Sequence, residues 1–156
     1  EGRRPPEMTE VRFYHLTRTT LEAALPNLLE RALQRDWRAV VVAGSQARVE
    51  QLTQHLWTYE AGSFLPHGAA KDGHAERQPV WLTAAEENPN GAHVAFLVDG
   101  AAIDRPAAFG LIAEIFDGTE SDAVQAARQR WKAYRAAGHD LTYWQQDDRG
   151  RWKKGA

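Results

Sequence analysis

Short hydrophobic runs alternate with segments of helical periodicity along most of the chain. The runs are of strand length and are bounded by turn residues, so they predict strands of a buried sheet. They occupy residues 11–16, 37–43, 79–83, 93–98 and 111–116. The run at 37–43 is continuously apolar, which is typical of a parallel strand that is covered on both faces.

Three segments show the spacing of amphipathic helices. Leucines recur at helical intervals from Leu21 to about residue 35, after several N-cap candidates at 17–20. Within this helix Pro26 is either tolerated near the first turn or marks the true start. A second helix is predicted at 46–59. The third is predicted at 121–137, with Ser121 as its N-cap and Gly138 at C′.

The order strand, helix, strand, helix predicts right-handed crossovers and an α/β fold: a single-domain layered sheet. A length of 156 residues suits one such domain. We assign the domain to residues 8–140 and expect the native chain to start at Met8, with 1–7 as an upstream extension. Residues 141–156 form a C-terminal extension of unknown role, either a hairpin at the sheet edge or a segment that orders on binding.

Composition and charge exclude several classes of function. The chain has no cysteine, which excludes disulfides, thiolate catalysis and cysteine-ligated zinc. A net charge of −2 disfavours a protein that coats nucleic acid. No apolar run is long enough to cross a bilayer, and the first seven residues contain no hydrophobic region of a signal peptide. These features predict a cytoplasmic protein.

Catalytic and metal-binding motifs are weak. The turn of Gly44 and Ser45 lacks the spacing of a phosphate-binding loop, and no GxGxxG is present. Asp99 follows an apolar strand, as magnesium-binding acids do in nucleotide hydrolases, so a degenerate nucleotide-binding enzyme that uses this turn and Asp99 stays an alternative. The six histidines lack the spacing of metal ligands. We therefore predict no metal, no cofactor and no catalytic residue.

Two groups of residues indicate binding instead. Arg128, Trp131, Lys132 and Arg135 have 3, 4 and 7 spacing and share one helix face. Cations around an aromatic ring suit an acidic peptide that carries an aromatic residue and a carboxylate. A nucleic-acid backbone, which would make the protein a direct binder of single-stranded DNA, or a merely solvated face would also fit.

The second group combines aromatic and apolar residues near a helix end and loop. Its members lie within about ten residues of one another and are typical of a protein-binding surface, although they would equally fill the core beneath a loop. They are Trp57, Phe64, Leu65, Pro66 and His67.

The run at 128–138 resembles the C-terminal helix of the bacterial DNA polymerase III chi subunit. Segments 11–16, 56–67 and 96–98 follow in the matching order, so that the resemblance covers roughly residues 9–144. It implies an α/β domain similar to mononucleotide-binding (Rossmann-like) folds but without their phosphate loop. It also implies a non-catalytic accessory subunit of the DNA polymerase III holoenzyme.

The resemblance further implies specific partners. Chi links the clamp loader to single-stranded DNA-binding protein (SSB) by binding the acidic SSB tail, which ends in Pro-Phe, and it meets DNA mainly indirectly. The family's tail-binding positions correspond to Arg128, Trp131, Lys132, Arg135 and Gly138. Arg128 would bind the terminal carboxylate, Lys132 and Arg135 the upstream acids, and Trp131 would form part of the phenylalanine pocket.

The surface from Trp57 to His67 resembles the region where chi binds the psi subunit, or a helicase that competes for the same place. The resemblance therefore implies psi, a competing helicase or another protein as the partner at this surface.

Overall fold

A computed structural model describes residues 9–58 and 66–155. The strands in this part of the chain are β1 (Glu10–Leu16), β2 (Ala39–Val42), β3 (Val80–Thr83), β4 (Val94–Leu97), β5 (Leu111–Asp117), β6 (Asp140–Gln146) and β7 (Trp152–Lys154). Its α-helices are α1 (Leu21–Gln34), α2 (Gln46–Thr58) and α3 (Ser121–Ala136).

The described strands form one sheet in the order β3-β2-β4-β5-β1-β6-β7. Neighbouring strands run parallel except for the last pair, in which β7 returns antiparallel to β6. The α/β prediction is therefore confirmed. In the described part of the C-terminal extension, which ends at residue 155, the hairpin at the sheet edge is the correct alternative, and its first strand pairs with β1 over almost its whole length.

Alternating side chains of the sheet pack against helices on both faces. Tyr14 and Leu16 of β1 lie on the face that α1 and α2 cover, which we call the α1 face. Val11 and Phe13 lie on the opposite face, together with Ala127 of α3, which we call the α3 face. Strands β1 and β5 are neighbours in the sheet, but the helices that follow them, α1 and α3, lie on opposite faces of it.

The helix ends confirm two of the predicted capping features and correct a third. The Thr20 side chain accepts a hydrogen bond from the Ala23 amide, so the N-cap of α1 lies within the predicted 17–20 region. Gly138 has φ +88 and follows α3 as predicted. Ser121 is not the N-cap: it is the first residue of α3, and Glu120 occupies the N-cap position without a side-chain hydrogen bond.

Pro26 lies inside α1, so of the two alternatives for this residue the one that makes it the helix start is wrong. Proline has no amide hydrogen, and the carbonyl four residues earlier, that of Glu22, loses its helical donor. The Nε2–H of His55 in α2 donates to this carbonyl over 2.6 Å. A side chain of the neighbouring helix thereby replaces the missing backbone hydrogen bond and ties α2 to α1.

Replacing His55 by phenylalanine is expected to lower the free energy of unfolding by about 1 kcal/mol, because the Glu22 carbonyl loses its donor. Urea denaturation would measure the change. The cost should shrink when Pro26→Ala restores an amide donor in the same chain, and His55→Gln, which keeps a donor, should cost less. If His55→Phe lowered the free energy of unfolding equally in the parent and in Pro26→Ala, the unpaired Glu22 carbonyl would not be the cause of the loss.

No helix among the residues the structure describes has the length and apolar character of a membrane span.

Candidate functional site

Helix α3 lies close against the sheet because its sequence is rich in alanine. Alanine has the highest helix propensity, and a small side chain lets a helix approach its neighbour. Ala127 faces the sheet and is 3% exposed. The helix contacts β5 and β6, so that it spans the strands on both sides of β1.

A buried carboxylate fixes the rotation of α3 about its axis. Glu114, at the centre of β5, is only 1% exposed. Arg130 Nε donates to Glu114 Oε1 and the Tyr134 hydroxyl donates to Oε2, each over 2.9 Å. Burial raises the pKa of Glu114, while the positive charge of Arg130 and both hydrogen bonds oppose that rise. Burial and the adjacent Glu114 together raise the pKa of Tyr134.

With Arg130 and Tyr134 turned inward, the next face of the helix borders a cleft beside the sheet. The cleft has a volume of about 540 Å³ and lies between α3 and the carboxyl-terminal halves of β1 and β5. Arg128, Trp131 and Lys132 line its helical side. Three of the residues predicted for tail binding are thus brought to one cavity.

The floor of the cleft is aromatic. Phe13 and His15 of β1, Phe116 of β5 and Tyr143 of β6 line it from the α3 face of the sheet. The indole of Trp131 packs edge-on against the Phe13 ring, with centroids 5.2 Å apart. The floor and the helix together form an apolar recess large enough to take an aromatic side chain.

His15 is held in place within this floor. Its ring stacks on Phe116 at a centroid distance of 4.7 Å, and its Nδ1 is hydrogen-bonded to the Tyr143 hydroxyl. Burial lowers the pKa of His15, although the charge of Asp117 acts in the opposite direction. Burial thus favours the neutral imidazole, which offers surface for stacking rather than charge.

The cations of the cleft are available to a ligand. Arg128 and Lys132 are exposed and form no ion pair with another residue of the described ranges. Arg135 is also exposed, but it lies nearer the helix end, outside the residues that line the cleft. Gly138 lies beyond it at C′, where its positive φ turns the chain towards β6.

Comparison with known proteins decides the family. The family model described as "DNA polymerase III chi subunit, HolC" matches residues 8–142. The chain belongs to the DNA polymerase III chi subunit family. Its fold and the resemblance inferred from residues 128–138 are consistent with this assignment, and the family is that of an accessory subunit of a replicative polymerase.

Two relatives show how far sequences diverge within the chi family. A protein named probable DNA polymerase III subunit chi, from Rickettsia prowazekii (strain Madrid E), is 29% identical over 91 residues, which are 58% of this chain and 55% of that relative. The DNA polymerase III subunit chi of Escherichia coli (strain K12) is 28% identical over 143 residues, covering 86% of this chain and 96% of that protein.

The surface predicted to bind a second partner is partly visible in this chi-family protein. Trp57, in the last turn of α2, is 49% exposed, and its ring lies 4.5 Å from the ring of His67. His67 is buried and donates from Nε2 to the Thr53 carbonyl over 3.1 Å, while Pro66 is half-buried. Phe64 and Leu65 lie outside the described residues.

A second cavity of about 930 Å³ opens at the carboxyl ends of the strands, where α/β folds bind nucleotides. Asp99 borders it but accepts a hydrogen bond from Arg48 Nε over 2.6 Å, and Arg48 also donates to Glu22 over 2.7 Å. The Ser45 hydroxyl accepts from the Arg48 amide and so begins α2. These groups join α1, α2 and the end of β4 to one another. The described residues contain no group of three potential metal ligands.

Several residues of the cleft beside α3 were not found from the sequence. Glu114 and Arg130 orient α3, and the floor residues complete the cleft. A charged residue at the centre of an apolar strand signals a buried partner, so Glu114 was recognisable in principle. Phe13 and Tyr143 gave no such signal, because their proximity depends on β6 lying beside β1.

Proposed function

We propose that this chi-family protein binds the acidic carboxyl-terminal tail of SSB in the cleft beside α3, and so links SSB to the clamp loader of DNA polymerase III. One observation carries the proposal: the cleft combines an aromatic recess with unpaired cations at its rim. Its contribution is binding, and no catalytic step is assigned to it.

The recess suits the terminal phenylalanine of such a tail. A phenyl ring that enters between Trp131 and the stacked pair of His15 and Phe116 meets ring edges and faces on three sides. Aromatic pairs at these distances gain about 0.5–1.5 kcal/mol beyond the burial of their area. A neutral His15 favours this arrangement, since a charged imidazole would lose hydration when a ring covers it.

The cations suit the charges of the tail. The terminal carboxylate adjoins the phenylalanine, so it reaches the rim where Arg128 stands one helical turn before Trp131 and Lys132. A guanidinium binds a carboxylate through two parallel hydrogen bonds, which fixes the end of the peptide. Lys132 and Arg135 continue along the helix in the direction from which the upstream acids would approach.

The exposed Trp57 is the basis for a second part of the proposal. A half-exposed indole beside a buried histidine is the kind of residue that anchors a protein interface. We assign this surface to a second replication partner, a psi-like clamp-loader component or a helicase. It lies on α2, on the opposite side of the sheet from the cleft, and both partners can therefore bind at once.

The proposal predicts salt-sensitive binding of a labelled acidic peptide that ends in Asp-Ile-Pro-Phe. Fluorescence anisotropy should give a dissociation constant in the micromolar range, roughly −8 kcal/mol, that weakens as salt screens the charges. A peptide without the final phenylalanine serves as the control and should bind at least tenfold more weakly, by about 1.4 kcal/mol or more. Equal binding of both peptides, or binding that salt leaves unchanged, would contradict the proposed site.

A further inference from the structure

The α1 face of the sheet is left uncovered at the edge formed by β6 and β7. On this face α1 makes its main contacts with β2 and β5, and α2 makes its own with β3. Helix α3 contacts β6, but from the other side. No helix lies fully over the terminal hairpin on this face, so Trp144 and Trp152, which point to it, are only partly covered.

Aromatic rings occupy this open face. Tyr14 and Trp144 are register partners on β1 and β6. Their rings are stacked, with an angle of 25° between the ring planes and centroids 6.2 Å apart. The indole of Trp152 on β7 meets the Tyr14 ring edge-on at 5.0 Å. Trp144 and Trp152 remain partly exposed. A neighbouring groove, bordered by both of these indoles, continues towards Trp37 at the foot of α1.

Cations surround these rings. Arg31 and Arg35, on the last turn of α1 and just after it, border the same groove and form no ion pair with another described residue. Lys154 is the register partner of Trp144 and projects on the same face. Arg12 lies 5.9 Å from the Trp144 ring, but Glu10 neutralises it over 2.9 Å. Three cations are thus left for a ligand.

Among the β1, β6 and β7 residues that point to this face, the acidic ones lie at the amino ends of β1 and β6. Glu10 and Asp140 are register partners at the amino ends of β1 and β6, and Glu10 is the acid already paired with Arg12. Arg31 and Arg35 stand on one side of the rings and Lys154 on the other. The cations therefore flank the aromatic surface.

A flat sheet surface with exposed rings and flanking cations matches single-stranded nucleic acid. Unpaired bases stack on aromatic side chains while the phosphates follow the cations, and stacking contributes about 1–3 kcal/mol per base. A duplex hides its base faces, and an acidic peptide offers few rings to stack on Trp144 and Trp152. The family is one of DNA polymerase subunits, which favours DNA over RNA.

We infer that the α1 face of the β6–β7 hairpin is a binding surface for single-stranded DNA, with bases stacked on Trp144 and Trp152 and phosphates held by Arg31, Arg35 and Lys154. It lies on the opposite face of the sheet from the cleft beside α3. The protein thus carries a weak DNA contact of its own, separate from any contact that it gains through a partner protein.

The test is a titration of the full chain with a labelled oligothymidylate, without SSB. We expect the logarithm of the binding constant to fall linearly with the logarithm of the salt concentration. The slope should be about −2, the value for three phosphate contacts on a single strand. The Arg31→Glu/Arg35→Glu variant should bind at least about tenfold more weakly. Arg77→Glu, which reverses an exposed arginine before β3 at the far edge of the sheet, is the matched control and should bind as the parent does.

Stacking has its own readout. The oligonucleotide should quench tryptophan fluorescence, and Trp144→Phe/Trp152→Phe should abolish most of the quenching; thermal melting checks that each variant is folded. Absence of binding at low salt, equal losses in the Arg77→Glu control, or equal affinity for a duplex of the same length would each overturn the inference. The inference would also be overturned if Arg31→Glu/Arg35→Glu lost binding of the acidic peptide, because the α1 face would then be a peptide-binding surface. The peptide titration of the parent is independent, and either proposal can fail alone.

Discussion

Replacing Arg130 by methionine is expected to lower the free energy of unfolding by about 3 kcal/mol or more at neutral pH. Arg130 is the cation that neutralises Glu114, and Glu114 is 1% exposed at the centre of the sheet. Without it the carboxylate keeps only the Tyr134 hydroxyl as a partner. Breaking a buried ion pair costs more than the pair itself contributes, because one charge is left behind without compensation.

The pH dependence of this fall in stability shows whether it comes from an uncompensated buried charge or from lost packing. Burial already raises the pKa of Glu114, and removal of Arg130 raises it further. The folded protein then binds a proton more tightly than the unfolded chain, so its stability falls as pH rises from the ordinary glutamate pKa, about 4.3, to the raised value. Urea denaturation at about pH 5 and pH 8 should therefore show a smaller deficit at the lower pH.

The matched control is the double variant Glu114→Gln/Arg130→Met. It removes both charges, and it should recover most of the stability that Arg130→Met loses at pH 8, since neutral groups of similar volume often replace a buried pair at little cost. A deficit that is the same at both pH values, or a double variant as unstable as the single one, would assign the effect to packing instead of charge.

Replacing Arg128 by alanine is expected to weaken binding of the acidic peptide by about 1.5–3 kcal/mol, at least a tenfold rise in the dissociation constant. Arg128 borders the cleft and has no ion-pair partner in the described parts of the chain, so its loss leaves the fold undisturbed and removes the group assigned to the terminal carboxylate. Anisotropy titrations at one fixed salt concentration would measure the change.

Two comparisons make this result specific. Arg77→Ala removes the same charge from an exposed arginine far from the cleft and should leave the affinity within about twofold. A peptide with a carboxyl-terminal amide should lose affinity with the parent protein but lose little more with Arg128→Ala, because the amide has already removed the charge that Arg128 binds. Normal binding by Arg128→Ala would remove the residue from the proposed site.

Local patterns were sufficient to predict the helices and to place the four residues of the proposed binding face on one side of α3. Positions 128, 131, 132 and 135 share a face in any α-helix, whatever lies beneath it. The alanines, the cations in later turns and Gly138 are likewise local signals, and Gly138 has the expected positive φ. The N-cap prediction at Ser121 was wrong by one residue, because propensity favours serine at this position even though Glu120 is the N-cap and Ser121 the first helical residue.

The floor of the cleft depends on information that no local pattern contains. Phe13 faces Glu114 on one side and Tyr143 on the other, and these neighbours are set by the order of strands in the sheet. A short run such as that at 11–16 shows which residues alternate, but it does not show which strands will flank it. The role of Arg130 was hidden for the same reason, since only the assembled sheet places Glu114 below it.

The position of β1 between β5 and β6 also determines when the protein can fold. The hydroxyl of Thr9, the residue before β1, donates to the carbonyl of Phe109, 100 residues later. Both strand neighbours of β1 come from the last third of the chain. Closing loops of this length costs entropy before any contact is gained, and such topologies fold slowly. During synthesis the first strand emerges long before its neighbours exist, and its apolar residues stay exposed until β5 and β6 have been made. The cleft, which is built from all three strands, is therefore among the last parts of the molecule to form.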